Sequence, residues 1–252
     1  ISGVVAFMLH DFGFRGVSSV ESSGLGGSSH IINFMGTDTV SAILFAQEFY
    51  NTENPLAFSI PASEHSTITS WGEPFEVKAM ENMLDSYPTG LVACVSDSFD
   101  IIRACRDYWG TALRDKILSR DGRLVIRPDS GDPVQTLKQI FHILWDKFGG
   151  TTNDKGFKVL DPHVRVIQGD GVNFESISDI CDMMIEEGLS IENIAFGMGG
   201  ALLQKVDRDT QKFAIKCSSI VINGEEIEVQ KNPIEINEKG ERVQSFKKSK
   251  AG

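Results

Sequence analysis

Apolar positions along this chain come in short runs, and each run breaks off into a charged or glycine-rich loop before a helical pattern begins. The clearest case is GRLVIRPDSGDP at 122–133. Leu124, Val125 and Ile126 make a buried-strand pattern, and Arg127 to Gly131 is a loop of fixed charge. Asp132 is a good N-cap and Pro133 suits the first helical position. Val134, Leu137, Ile140, Phe141 and Leu144 then recur at helical spacing. Similar apolar runs at 4–9, 91–95, 164–167 and 194–196 read as strands, ending in HDFGFRG, SDSFD, QGDG and GMGG. Helices are expected after Asp38, with Val40, Ile43, Leu44 and Phe45 apolar, and over 73–84, with Ala79, Met80, Met83 and Leu84 inward. Further helices are expected over 101–118, broken near Gly110, and after Gly171, with Ile177, Ile180, Cys181 and Met184 inward and Gly188 closing. The stretch SSVESSGLGGSS at 18–29 reads as a flexible linker or as a loop that covers a ligand. Late strands are expected at 213–217 and 219–222, then a peripheral hairpin and a polar tail over 223–252.

Strand, polar loop and helix alternate about six times, which calls for an α/β fold with a parallel sheet or barrel. In such a fold the loops at the strand ends share one face, where α/β proteins keep their chemistry. No fixed period repeats, so a solenoid is excluded.

Composition narrows the function classes. The chain has 252 residues, 41% hydrophobic and 23% charged, ordinary for a globular protein. A net charge of −11 argues against a nucleic-acid binder held by a basic face. No apolar run approaches the roughly 20 residues that span a bilayer. Four widely spaced cysteines with no CxxC point to reduced thiols and a cytoplasmic protein. The chain opens on Ile1 inside an apolar segment, and the expectation is a piece of a longer protein.

The loop face gathers Asp11, Arg15, Asp38, His65, Asp100, Arg127, Asp129 and Asp170 beside Gly169, Gly199 and Gly200. Glycines next to acids suggest backbone N–H groups turned toward an anion, phosphate above all. Arg15 and Arg127 suit bidentate clamping of phosphate oxygens. Asp129 and Asp170 suit sugar hydroxyls or Mg²⁺ carried in on a phosphate. Singly, each piece has an ordinary reading. The 197–200 glycines form neither a dinucleotide fingerprint nor a P-loop and read as a tight turn. His65 reads as a helix-start histidine bonded to a neighbour, Asp38 as a helix cap and Phe12 as core.

Taken together, HDFGFRG, GTDT, PASEHST, SDSFD, IRPDSG, VIQGDG, FGMGG and LLQKVDRD resemble, in order and spacing, the type II phosphoribosyltransferases. The resemblance covers about residues 4 to 222 and the central and later part of the family's chain. It implies an irregular (β/α) barrel, here over 1–222, and a homodimer with active sites at the interface. The implied reaction joins nicotinamide to phosphoribosyl pyrophosphate, with Mg²⁺, and is coupled to ATP through a phosphohistidine. By the same resemblance Phe12 stacks on the pyridine ring, and Asp38 accepts from the carboxamide. Ser96 and Arg127 lie near the amide and ring. Asp129 and Asp170 hold ribose hydroxyls. Gly169, Gly199 and Gly200 line the 5′-phosphate, and Arg15 and Arg127 face the pyrophosphate. His65 is the implied phosphoryl acceptor, and Asp100 its orienting carboxylate. Arg208 and Lys216 match residues that reach a phosphate site of the partner subunit, with Lys231 a third such position. Met198 and Ala201 depart from the family pattern at the phosphate loop. The rival readings are a nicotinate-using relative, which Asp38 would disfavour by repelling a carboxylate, and a non-catalytic binding protein on the same scaffold.

Overall fold

The structure is a computed structural model, and it describes residues 3–204, 216–229, 231 and 233–244. In chain order the first elements are β1 (Leu9–Asp11), α1 (Val20–Ile31), β2 (Gly36–Thr37), α2 (Val40–Tyr50), α3 (His65–Thr69), α4 (Glu76–Ser86) and β3 (Thr89–Val95). Next come α5 (Ile101–Arg103), a π-helical stretch (Ala104–Ala112), α6 (Arg114–Leu118), β4 (Asp121–Arg127) and α7 (Pro133–Phe148). Then follow β5 (Gly150–Thr152), β6 (Lys158–Leu160), β7 (Val164–Gln168), α8 (Phe174–Glu186), β8 (Ile194–Met198) and α9 (Gly200–Leu203). Two hairpins, β9 (Ser219–Ile222) with β10 (Glu225–Glu228) and β11 (Ile234–Ile236) with β12 (Arg242–Gln244), close the described part. The chain divides into two compact units. The α/β class with parallel pairing is as the alternating pattern requires, and it is the class of the barrel expected from the motifs.

The first unit comprises Ile1–Ser59, Ile167–Asp179 and Ile194–Ala214. Its β1 pairs in parallel with β2 on one side and β8 on the other, so Asp11 lies opposite both Thr37 and Met198. The stretch 18–29 is neither linker nor loop; it is most of helix α1. Ser19 caps that helix by accepting from Ser22 N, and the hydroxyls of Ser23, Ser28 and Ser29 donate back to carbonyls of the preceding turn. Its glycines are there for packing. A Cβ on Gly24 would fall 2.3 Å from the Phe45 ring and one on Gly27 2.6 Å from the Ala42 Cβ, both on α2. The apolar run at 4–9 is strand only at its end. Val5–Phe7 form a 3-10 turn, and Val5 and Phe7 are exposed, because only the residues from Leu9 onward find pairing partners.

The second unit comprises Ile60–Val166, Ile180–Asn193 and Ile215–Gly252. In it β4 lies between β3 and β7, all parallel. Val92, Cys94 and Val95 of β3, Leu124 and Ile126 of β4, Val164 and Val166 of β7, and Leu137, Ile140, Phe141 and Leu144 of α7 have no exposed surface. Helix α4 buries Ala79, Met80, Met83 and Leu84, the face expected from periodicity. Asp132 caps α7 by accepting from Gln135 N, with Pro133 first in the helix. The expected break near Gly110 is a π turn, in which Leu113 N donates to Tyr108 O five residues back. Residues 213–215 lie outside the described part, and Cys217 is exposed and outside any strand.

Candidate active site

In the second unit three chain segments converge on one imidazole. Residues 61–63 run alongside β3: Ala93 N donates to Pro61 O, Ser63 N donates to Ala93 O, and Val95 N donates to the Ser63 hydroxyl. This pairing delivers His65, the first residue of α3, to the carboxyl end of β3. Nε2 of His65 donates to Oδ1 of Asp97 at 2.8 Å, and Nδ1 lies 3.8 Å from Oδ2 of Asp129. An ionised carboxylate only accepts, so the short contact places the ring proton on Nε2 and leaves the Nδ1 lone pair toward Asp129. Asp97 is almost wholly buried. Burial alone would push its carboxyl up. The His65 hydrogen bond, with the Lys231 ammonium behind it, outweighs this and holds it below the usual carboxylate range.

The carboxylate at His65 is therefore Asp97, and the expectation of Asp100 in that role is corrected. Asp100 stands immediately before α5 and caps it, accepting from Ile102 N and Arg103 N through Oδ1, while Oδ2 pairs with Arg242. Two acids three residues apart in SDSFD thus take different duties, and Asp100 has the position that defines an N-cap. Ser96 is also turned inward. Its fully buried hydroxyl donates to Cys94 O and accepts from Trp109 Nε1 at 3.0 Å, so it fixes the loop instead of facing a ligand. The π turn is what aims Trp109 there.

Arg127 ends β4, and its carbonyl accepts from Ser96 N. Its Nε is a buried donor with no partner among the described residues, which leaves it open to an anionic acceptor. Lys231 donates to the Ser130 hydroxyl at 2.7 Å and lies 3.8 Å from Oδ2 of Asp97, so it is engaged within its own chain. Lys216 is exposed, and Arg208 lies outside the described residues. Behind Asp97 the carboxyl of Glu76 is fully buried with neither oxygen hydrogen-bonded. Burial raises it to about 8, against the pull of Arg103 and with the help of Glu73, Asp100 and Asp97.

The first unit holds the other expected residues. Asp11 is fully buried and accepts from Gly13 N and the Thr37 hydroxyl, so it shapes the loop after β1. Phe12 is half-buried over Gly197, where a Cβ would fall 1.9 Å from its ring; only glycine leaves room for it. Asp38 is about half exposed and is held by His10 Nε2 at 3.1 Å and by the Ser59 hydroxyl. Arg15 and Asp170 are exposed, and Gly169 is half-buried. Gly171, at φ 65°, turns the chain after β7. Gly199 precedes the short α9, where a Cβ would lie 4.0 Å from Phe12 O, and Gly200 begins it. Among the described residues no group of three or more His, Cys, Asp or Glu side chains is placed to hold a metal ion.

Residues 7–247 match the sequence profile of the Nicotinate phosphoribosyltransferase (NAPRTase) family. A nicotinamide phosphoribosyltransferase of Xanthomonas campestris pv. campestris is 56% identical over 235 residues, 92% of this chain and 50% of that protein. Proteins of the same name from Acinetobacter baylyi and Mycoplasma pneumoniae are 32% and 31% identical over 89% and 90% of this chain and 48% and 51% of their own length. The chain spans about half the length of the curated relatives it matches.

Proposed function

The chain belongs to the nicotinate phosphoribosyltransferase family, and on that footing we propose that it forms part of an enzyme transferring the phosphoribosyl group of phosphoribosyl pyrophosphate to nicotinamide. The products are nicotinamide mononucleotide and pyrophosphate, a salvage step of NAD biosynthesis. The three relatives named above carry nicotinamide in their names. The acceptor reading rests on Asp38, whose exposed carboxylate accepts from an amide NH₂ and repels the carboxylate of nicotinate. Phe12 supplies a flat apolar face for the pyridine ring. The 2′ and 3′ hydroxyls of the ribose fall to Asp129 and Asp170, the 5′-phosphate to the Gly169 and Gly199–Gly200 loops, and the pyrophosphate to Arg127 and Arg15. Bond formation at the anomeric carbon passes through a cationic state. Carboxylates stabilise that charge, and Mg²⁺, arriving chelated by phosphate oxygens, neutralises the leaving pyrophosphate.

The observation that carries the energy-coupling part is the His65 ring held between Asp97 and Asp129. Nδ1 attacks the γ-phosphorus of ATP, the bond to the bridging oxygen breaks, and ADP leaves with its electron pair. The ring, now cationic, keeps its Nε2 proton against Asp97. A homodimer in the cytoplasm is the working form we assign, with Arg208 and Lys216 reaching the partner's phosphate site. The test uses the complete enzyme. His65→Ala should abolish ATP hydrolysis while basal transfer persists at reduced efficiency, and Asp38→Asn should erode the preference for nicotinamide over nicotinate in competition. Full ATPase activity in the first variant, or an unchanged preference in the second, would remove that residue from its role.

A further inference from the structure

Lys231 comes from the segment that returns after the β9–β10 hairpin, and that segment is tied to both acidic loops of the second unit. Ile234 N donates to Phe99 O, in the loop after β3, and Asp132 N donates to Ile236 O, in the loop after β4. The chain at 234 and 236 is therefore anchored, and the Lys231 side chain is only 15% exposed. Its ammonium donates to Ser130, the residue after Asp129, and lies 3.8 Å from the second oxygen of Asp97, a buried atom with no hydrogen-bond partner among the described residues. One cation thus spans the two loops whose carboxylates flank the imidazole.

We propose that Lys231 is a positioning residue for His65, acting through Asp97 and Ser130 to hold the ring between its two carboxylates with Nδ1 turned to attack. The proposal rests on the phosphohistidine reading for its consequence, and on the geometry alone for its cause. The groups around the imidazole are mostly acidic: Asp97 and Asp129 beside it, and Asp100 and Glu76 beyond Asp97. Arg242 is taken up by Asp100, and Arg103 by Glu73 and, more distantly, Glu76. Each carboxylate without a cation favours the imidazolium, which has no lone pair with which to attack. Among the described residues Lys231 is the cation paired with the other oxygen of Asp97, so its removal leaves the His65 ring as the remaining partner of that carboxylate.

Lys231→Met and Lys231→Arg in the complete enzyme provide the test, with phosphoenzyme formation from ATP labelled in its γ-phosphate followed against pH. Lys231→Met should move the acidic limb of the profile to higher pH and cut phosphoenzyme formation ~10-fold at neutral pH, with recovery in alkali and KM for ATP within about twofold. Lys231→Arg should restore most of the loss. An unmoved profile with a large rise in KM for ATP or phosphoribosyl pyrophosphate would overturn the proposal in favour of a phosphate ligand. So would an unchanged enzyme. If no phosphoenzyme forms, or His65→Ala still forms one, the phosphohistidine reading falls by itself. The positioning claim is then decided by nitrogen NMR of isotope-labelled histidine. A larger protonated fraction of the His65 ring in Lys231→Met than in the parent protein supports it, and an equal fraction refutes it. Matching circular dichroism of the Met variant and the parent separates these outcomes from unfolding.

Discussion

Asp97 and Asp100 sit in one five-residue loop, yet their surroundings give them opposite work. Asp97 is buried against an imidazole and an ammonium. Asp100 spends one oxygen on two backbone N–H groups and the other on Arg242. Asp97→Asn keeps the shape but offers a donor where an acceptor is needed, which favours the wrong tautomer of His65. Phosphoenzyme formation should fall on the order of 10⁴-fold, as for the carboxylate that orients a catalytic histidine in a Ser-His-Asp triad. Asp100→Asn retains a competent N-cap and loses an ion pair whose Arg242 side is partly exposed while Asp100 is buried. Its stability should change by no more than ~1 kcal/mol, and its phosphoenzyme should form at close to the parent rate. Chemical denaturation together with phosphoenzyme assays of both variants checks this. Equal losses of activity in the two would mean that the loop acts as one unit and that the division of labour is wrong. The position of Asp100 directly before a helical run was a readable capping signal; that Asp97 turns inward was not, because it depends on how the loop folds over Trp109.

At the scale of elements, α1 shows packing overriding composition. Four serines and three glycines lie within its 12 residues, and such a sequence has little intrinsic helicity. The helix forms because the Ser19 cap and the back-bonded hydroxyls satisfy the polar groups, and because the glycine face lets α2 approach closely. Gly24→Ala therefore pits two effects against each other. Helix propensity gains ~1 kcal/mol, while the new methyl meets the Phe45 ring at 2.3 Å. Overpacking of this kind costs typically 1–3 kcal/mol, so the variant should be less stable. A thermal melt with a raised midpoint would show that α2 yields easily and that the close approach is not needed. Locally the stretch 18–29 reads as linker or loop, because the partner helix, 15 or more residues further along, does not enter a local pattern.

For the whole molecule the telling group is Glu76. Its carboxyl moves from 4.5 to about 8 on folding, chiefly through burial. Below the lower value both states hold the proton and nothing is lost. Between the two the folded chain keeps a proton that the unfolded chain has released, so stability falls as pH rises through that window and levels off above about 8. Glu76→Gln, neutral throughout, should melt near the parent at about pH 5 and clearly above it at about pH 8. A gain that is the same at both values would show that the carboxyl is not held protonated. The described residues also contain no helix long and apolar enough to cross a membrane, and all four cysteines are free thiols. Burial pushes Cys94 up to about 12, so the thiol is inert while the chain is folded.

The sequence by itself determined the α/β class, the strand-end loops that carry the charged residues, the inward face of α4 and the cap of α7. These follow from periods and caps that are complete within a few residues of chain. It also located His65 and Asp129 at loop ends, although not their mutual approach. Only the tertiary structure decided that Asp97 receives the imidazole and that Ser96 is spent on Trp109. It also brought Lys231, from 101 residues along the chain, onto Ser130. Each of these turns on a contact between distant segments in a buried place, where an unpaired charge or hydroxyl is costly and the fold settles which partner relieves it.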